Sequence, residues 1–159
     1  MFEDYIKVLM KMSVTNDGNL NRNVAYGIGV LAKRTEPATL FANHVGTALS
    51  MTKMMYAASE EQDAKDNCMM CMLKILDRFP NQFPQQEGQE LFVKVMSSIP
   101  LTGDSSENET VVKFAGNLVA KGKQAEIMPY LDNLTATCLK IINDKNCNGP
   151  KTKVRAASF

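Results

Sequence analysis

The chain has 159 residues, 45% of them hydrophobic and 7% aromatic, with no Trp. Its 18 Lys and Arg nearly balance 17 Asp and Glu, and a formal charge of +1 supplies no long-range pull toward nucleic acid or an anionic membrane. No apolar run approaches the roughly 20 residues of a membrane span, and the first residues lack the pattern of a signal peptide.

Phe2, Tyr5, Ile6, Leu9 and Met12 make one helical face that stops near the turn cluster Asn16-Asp17-Gly18-Asn19. This segment reads as the second helix of a hairpin whose first helix is missing. The next helix runs from about Asn19 to Arg34, with Val24, Ile28 and Leu31 at helical spacing. Inside it, Gly27 and Gly29 each cost on the order of 1 kcal/mol against Ala. Two such losses within three residues predict that another backbone passes close by. Pro37 ends the segment, and a single longer helix is expected from about Ala38 to Ala58. His44, the one histidine, lacks a Cys, Asp or Glu at useful helical spacing and reads as a packing or surface residue.

Ser59 is expected to cap the next helix, with Gln62 three residues on. That helix runs to about Phe79, and its Asn67 lies 44 positions after Asn23 in an equivalent place. With Ala64, Cys68, Cys71 and Ile75 on one stripe and Met69, Met72 and Leu76 beside it, it must be covered on more than one side. Pro80 and Pro84 bracket a loop, and a helix follows from about Gln86 to Ser98. Thr102 to Glu107 leads into a helix ending near Ala120, with Gly122 placed just past its end. Gln124-Ala125-Glu126 reads as a connector, and Pro129 suits the first turn of a last full helix. Asn143 to Gly149 is loop-like, and Pro150 to Phe159 resembles the opening of a further helix, with Lys151, Lys153 and Arg155 on its polar face. No segment alternates with period two, so no sheet is expected.

Hairpins thus begin near residues 19, 60 and 104, spacings that fall in the roughly 40–47 range of HEAT and armadillo repeats. The expected fold is all-α: an α-α superhelix, or HEAT/armadillo-like solenoid, with partial repeats at 1–16 and 147–159 and full repeats at 17–58, 59–100 and 101–146. Neither end looks like a polar capping repeat, so the chain reads as a piece of a longer solenoid.

The succession Asn23-Val24-Ala25-Tyr26-Gly27-Ile28-Gly29-Val30-Leu31-Ala32, Val45-Gly46-Thr47-Ala48-Leu49-Ser50, Ala64-Lys65-Asp66-Asn67-Cys68 and Ile99-Pro100-Leu101-Thr102-Gly103-Asp104 resembles the C-terminal half of importin-beta-type nuclear transport receptors. It is most similar to the karyopherin beta-three branch, over about residues 19–143; the Met-rich Cys68-Met69-Met70-Cys71-Met72 departs from that pattern. The resemblance implies a receptor shuttling between cytoplasm and nucleus. It implies protein cargo on a face lined by second helices and Phe-Gly nucleoporins in grooves between first helices. Ran GTPase would bind through repeats absent from this chain.

Cys68 and Cys71 have CxxC spacing, but inside an apolar stripe rather than at an exposed helix N-terminus, and Cys138 and Cys147 offer no paired metal ligands. Without an export signal the thiols are expected to be reduced. No catalytic, cofactor or metal residue is assigned, and no enzymatic activity, direct nucleic-acid binding or membrane binding is expected. The outward positions on second helices, Lys53, Tyr56, Gln89, Lys94, Asp132, Asn133 and Lys140, are the candidate protein-binding residues. Small residues such as Gly27 and Gly116 are candidate slots for a Phe ring. The competing readings are a structural HEAT scaffold in another assembly and a thiol enzyme.

Overall fold

The computed structural model describes residues 2–12 and 17–144. In chain order the helices are α1 (Phe2–Met12), α2 (Gly18–Arg34), α3 (Thr39–Ala42), α4 (Val45–Ala58), α5 (Gln62–Arg78), α6 (Gln85–Ser98), α7 (Asn108–Ala120), α8 (Gln124–Ile127) and α9 (Leu131–Asn143). Short 3-10 turns occupy Pro80–Gln82, Ser105–Glu107 and Met128–Tyr130. The fold is all-α, and the described residues contain no strand. The chain divides within α6 into two compact units, Met1–Leu91 and Phe92–Phe159. The loop expected after Asn143 is described only as far as Asp144, and the further helix expected at 150–159 lies outside the described residues.

The first unit is built on the pairing of α2 with α5, its most extensive helix contact. Both helices have 17 residues, and they open 44 positions apart, at Gly18 and Gln62. Asp17 sets the first start by accepting a hydrogen bond from the Leu20 N–H at 3.1 Å. The two helices run parallel, as three contacts along their length show. Near the starts, Arg22 Nη1 donates to Asp63 Oδ2 at 2.8 Å. At mid-helix the two backbones nearly touch: a Cβ on Gly29 would lie 3.3 Å from Cys71 Cα. At the ends, the Arg78 guanidinium donates to the carbonyls of Ala32 at 2.9 Å and Thr35 at 2.6 Å, and to Glu36. Carbonyls in the last turn of a helix lack intrahelical donors, and a cation there also suits the helix dipole.

The close approach predicted from the two glycines is therefore real at Gly29. Gly27 instead faces the Leu9 side chain of α1, 3.3 Å from where its Cβ would be. A second bridge repeats the step in the other helices: His44, just before α4, and Glu3, in the first turn of α1, meet at 3.1 Å. Its sequence separation of 41 equals that of Arg22–Asp63. The eight residues from Asp66 to Leu73 in α5 are all buried. Among them Asn67 donates to the Asp63 carbonyl at 3.0 Å, and Asp66 accepts from Gln62 at 2.8 Å.

Two local expectations are corrected. The helix expected from Ala38 to Ala58 is broken: the His44 N–H bonds back only three residues, to the Phe41 carbonyl at 2.8 Å. That tightened turn ends α3, and α4 restarts at Val45. Ser59 does not cap α5; it closes α4, with both its N–H and its Oγ donating to the Met55 carbonyl, at 2.9 and 2.7 Å. Helix α5 starts later than expected, at Gln62 with Glu61 in its cap position, so Ser59 stands two residues outside it.

In the second unit, the stretch from Phe92 to Leu101 and the stretch from Tyr130 to Lys140 are joined by contacts that advance together along the chain. The Phe92 and Tyr130 rings meet edge-on at 5.7 Å. Asn133 Nδ2 donates to the Met96 carbonyl at 2.9 Å, and Lys140 Nζ donates to the Leu101 carbonyl at 2.7 Å. Buried Asn108 opens α7 and pins the loop before it: its Oδ1 accepts from the Leu101 N–H at 2.8 Å, and its Nδ2 donates to the Leu101 and Ser105 carbonyls. Gly122 takes φ +74°, and the Lys123 N–H returns to the Leu118 carbonyl at 2.9 Å, closing α7 as the glycine predicts. Val112, Cys138 and Ile141 form a buried cluster between α7 and α9.

Two glycine substitutions test this packing. Gly29→Leu is expected to destabilise the fold by about 1–3 kcal/mol, because the added side chain must separate two backbones. Gly46→Ala, where nothing among the described residues lies within 4 Å of the new Cβ, is expected to be neutral or to stabilise by up to about 1 kcal/mol. Urea denaturation of the two variants checks both.

Candidate functional site

An open groove of about 400 Å³ lies along α4, lined by Gly46, Leu49, Ser50, Lys53, Met54, Gln82, Pro84 and Glu87. Helix α4 forms one wall; the turn after α5 and the first turn of α6 form the other. The Pro80–Gln82 turn and Pro84 hold the second wall out: Pro80 cannot continue α5, and the Pro84 carbonyl accepts the Gly88 N–H at 2.9 Å to start α6. Lys53 and Glu87 form an ion pair across the groove, each side chain 44% exposed. At that exposure the pair stabilises the fold by at most about 1 kcal/mol, so either charge is cheaply redirected to a ligand. Met54, 57% exposed, adds a flexible apolar contact. The groove is thus suited to an extended peptide carrying one apolar side chain and charged or polar neighbours.

The seven predicted binding residues divide between the two units. Lys53 lines the groove; Tyr56, on the same helix, is half-buried; Gln89, on α6, is exposed. In the second unit Lys94 and Asp132 are exposed. Asn133 and Lys140 are half-buried, and each donates to a backbone carbonyl, Asn133 to Met96 and Lys140 to Leu101. Their polarity and helical phase matched an outward face, but each carries a donor that a neighbouring segment uses. The slot expected at Gly27 is filled by Leu9; Gly116 is half-buried. Sequence reasoning missed Met54, Gln82, Pro84 and Glu87, since no local pattern tells that Glu87 lies across from Lys53, 34 residues away. It also missed the Glu3 partner of His44, 41 residues away.

The CxxC thiols are buried in α5. Burial, and secondarily the nearby Cys71, pushes the Cys68 thiol up to about 12, and burial also raises Cys138. Thr52 Oγ1 lies 3.5 Å from Cys71 Sγ and donates to the Ala48 carbonyl at 2.7 Å. Nucleophilic or metal-ligating cysteine is thiolate, which this environment opposes. Among the described residues no group of three or more His, Cys, Asp or Glu is placed to hold a metal ion, and no helix is long and apolar enough to cross a membrane.

Comparison of the chain with protein-family models, with curated proteins and with solved structures finds no match.

The thiol environment makes a prediction with a defined sign. Above about pH 9 an unfolded Cys68 loses its proton while the folded one keeps it, so the folded state binds more protons and stability falls as pH rises toward 12. The native protein is expected to resist alkylation at Cys68 at pH 8. Cys68→Ala is expected to flatten the alkaline loss of stability. Rapid native-state labelling at Cys68, or an unchanged alkaline slope in the variant, would contradict the buried thiol.

Proposed function

We propose that the chain is a section of a HEAT-like α-α superhelix that binds proteins without catalysing a reaction, and that it serves in a nuclear transport receptor of the importin-beta kind. One observation carries the solenoid part of this reading: α2 and α5 lie parallel and in register at a 44-residue step, clamped at both ends. A repeat array stacks first helix on first helix in this way, because one hairpin cannot bury both faces of its helices. The Glu3–His44 bridge supports the same step between second helices α1 and α4. Receptor identity rests on the ordered resemblance of residues 19–143 alone.

Under this reading protein cargo binds along second helices, with the α4–α6 groove as one contact and Lys53 and Glu87 as its charged edges. Phe-Gly nucleoporins dock between first helices, Ran acts through repeats outside this chain, and the whole receptor shuttles between cytoplasm and nucleus. Stepwise contacts between neighbouring repeats leave such an array compliant, which suits the wrapping of differently shaped partners. The second reading, a structural HEAT scaffold, shares the fold and differs only in the partner.

Binding separates the two. The intact chain, immobilised and exposed to a basic import cargo and to tubulin in parallel, is expected to retain the cargo. Glu87→Lys is expected to weaken retention about 10-fold, equivalent to ~1.4 kcal/mol. Retention of tubulin without cargo would favour the scaffold, and retention of neither would remove support for both partner assignments.

A further inference from the structure

Helices α2 and α5 meet backbone to backbone at Gly29, whereas α4 and the first turn of α6 stand apart, with the groove of about 400 Å³ between them. The Lys53–Glu87 bridge spans that gap, Lys53 Nζ donating to Glu87 Oε2. These are the two charged residues of the groove lining, and they face each other from opposite walls. One turn before Lys53 on the α4 wall, Leu49 lies in the groove floor. Gly46 leaves room above it, since a Cβ there would meet nothing among the described residues within 4 Å.

A ligand bringing a single charge gains little in such a groove. A lone cation pairs with Glu87 only by displacing Lys53, and a lone anion pairs with Lys53 only by displacing Glu87. Each exchanges one exposed ion pair for another. A ligand carrying both charges replaces one pair by two. The geometry of an extended chain then sets the order of its residues. Successive side chains of a strand point to opposite sides, so a strand running along the groove sends neighbouring residues to opposite walls. An acid directed at Lys53 therefore has a base next to it in sequence, directed at Glu87. The residue two positions from the acid returns to the α4 wall, roughly 6.5 Å along the strand. One helical turn, from Lys53 back to Leu49, covers about 6 Å, so an apolar side chain at that third position meets Leu49.

We propose that the groove takes an extended segment of a partner protein in which an acidic, a basic and an apolar residue follow one another, with the base in the middle. The inference rests on the protein-binding reading above and names the ligand class of the same groove.

The test titrates the intact, isotope-labelled chain with capped nine-residue peptides of a Gly/Ser host, followed through the backbone amide signals of Gly46 and Gly88. A peptide with glutamate, lysine and leucine at its centre is expected to shift both signals saturably. Replacing its glutamate or its lysine by glutamine is expected to weaken binding about 3-fold, as befits one exposed pair. Lys53→Glu combined with Glu87→Lys keeps a bridge in the free protein. This double variant, its fold checked by circular dichroism, is expected to prefer the peptide in which lysine precedes glutamate. Equal affinity for doubly and singly charged peptides, an unaltered preference in the double variant, or no saturable shift at Gly46 and Gly88 would overturn the ligand class. Retention of import cargo alongside any of these results leaves the transport reading standing while this inference falls. Peptide discrimination without cargo retention supports the ligand class and removes the receptor assignment instead.

Discussion

At Gly29 the backbone of α2 comes within van der Waals reach of the backbone of α5, and the first unit is arranged around that approach. A side chain at this position would hold the helices apart: its Cβ would sit 3.3 Å from Cys71 Cα and 3.0 Å from the Lys74 side chain. With no Cβ there, Ala25, Ile28 and Ala32 of α2 and Cys68, Cys71 and Ile75 of α5 are excluded from solvent. The helix-propensity cost of the glycine, on the order of 1 kcal/mol, is offset by burial of apolar surface at roughly 25 cal/mol per Å².

Polar groups fix the register that the apolar contact leaves free. Arg22–Asp63 sets the starts of the two helices, and Arg78 reads the end of α2 through two carbonyls. The ion pair is partly solvated and contributes little energy; the guanidinium bonds to otherwise unpaired carbonyls, with 17% of the side chain exposed, contribute more. A slide by one residue along α5 would break both. Buried polar side chains elsewhere are satisfied in similar local ways: Thr52, Ser59 and Thr137 donate to the carbonyl four residues back, and Asn108 stands in for backbone at the start of α7. Asn21 Oδ1 is buried and has no hydrogen-bond partner among the described residues.

Much of this was legible in the chain because helices announce themselves locally. Apolar periodicity located α1, α2, α5, α6 and α9, Gly122 located the end of α7, and the paired glycines pointed to a close backbone approach before its partner was known. What could not be read are interactions between residues far apart in sequence. Ser59 can cap either neighbouring helix by its chemistry, and only where α5 actually starts, with Glu61 in its cap position, leaves it to α4. Asn133 and Lys140 have outward-looking polarity, yet their donors end on carbonyls 37 and 39 residues earlier. Of the candidate groove, Lys53 alone was anticipated; its opposite wall comes from a different hairpin, and no periodicity within α4 encodes it.

The central claim, that α2 and α5 lie parallel with Gly29 against Cys71, is open to a covalent measurement. A Cβ at position 29 would lie 3.6 Å from Cys71 Cβ, within the span of roughly 3.5–4.5 Å that a disulfide bridges. Mild oxidation of Gly29→Cys, followed by digestion and mass spectrometry, should give a crosslinked peptide joining residues 29 and 71 in the folded protein, lost when oxidation is carried out in denaturant. A folded Gly29→Cys protein in which position 29 stays fully alkylatable after oxidation, or pairs with Cys138 instead, would contradict the arrangement.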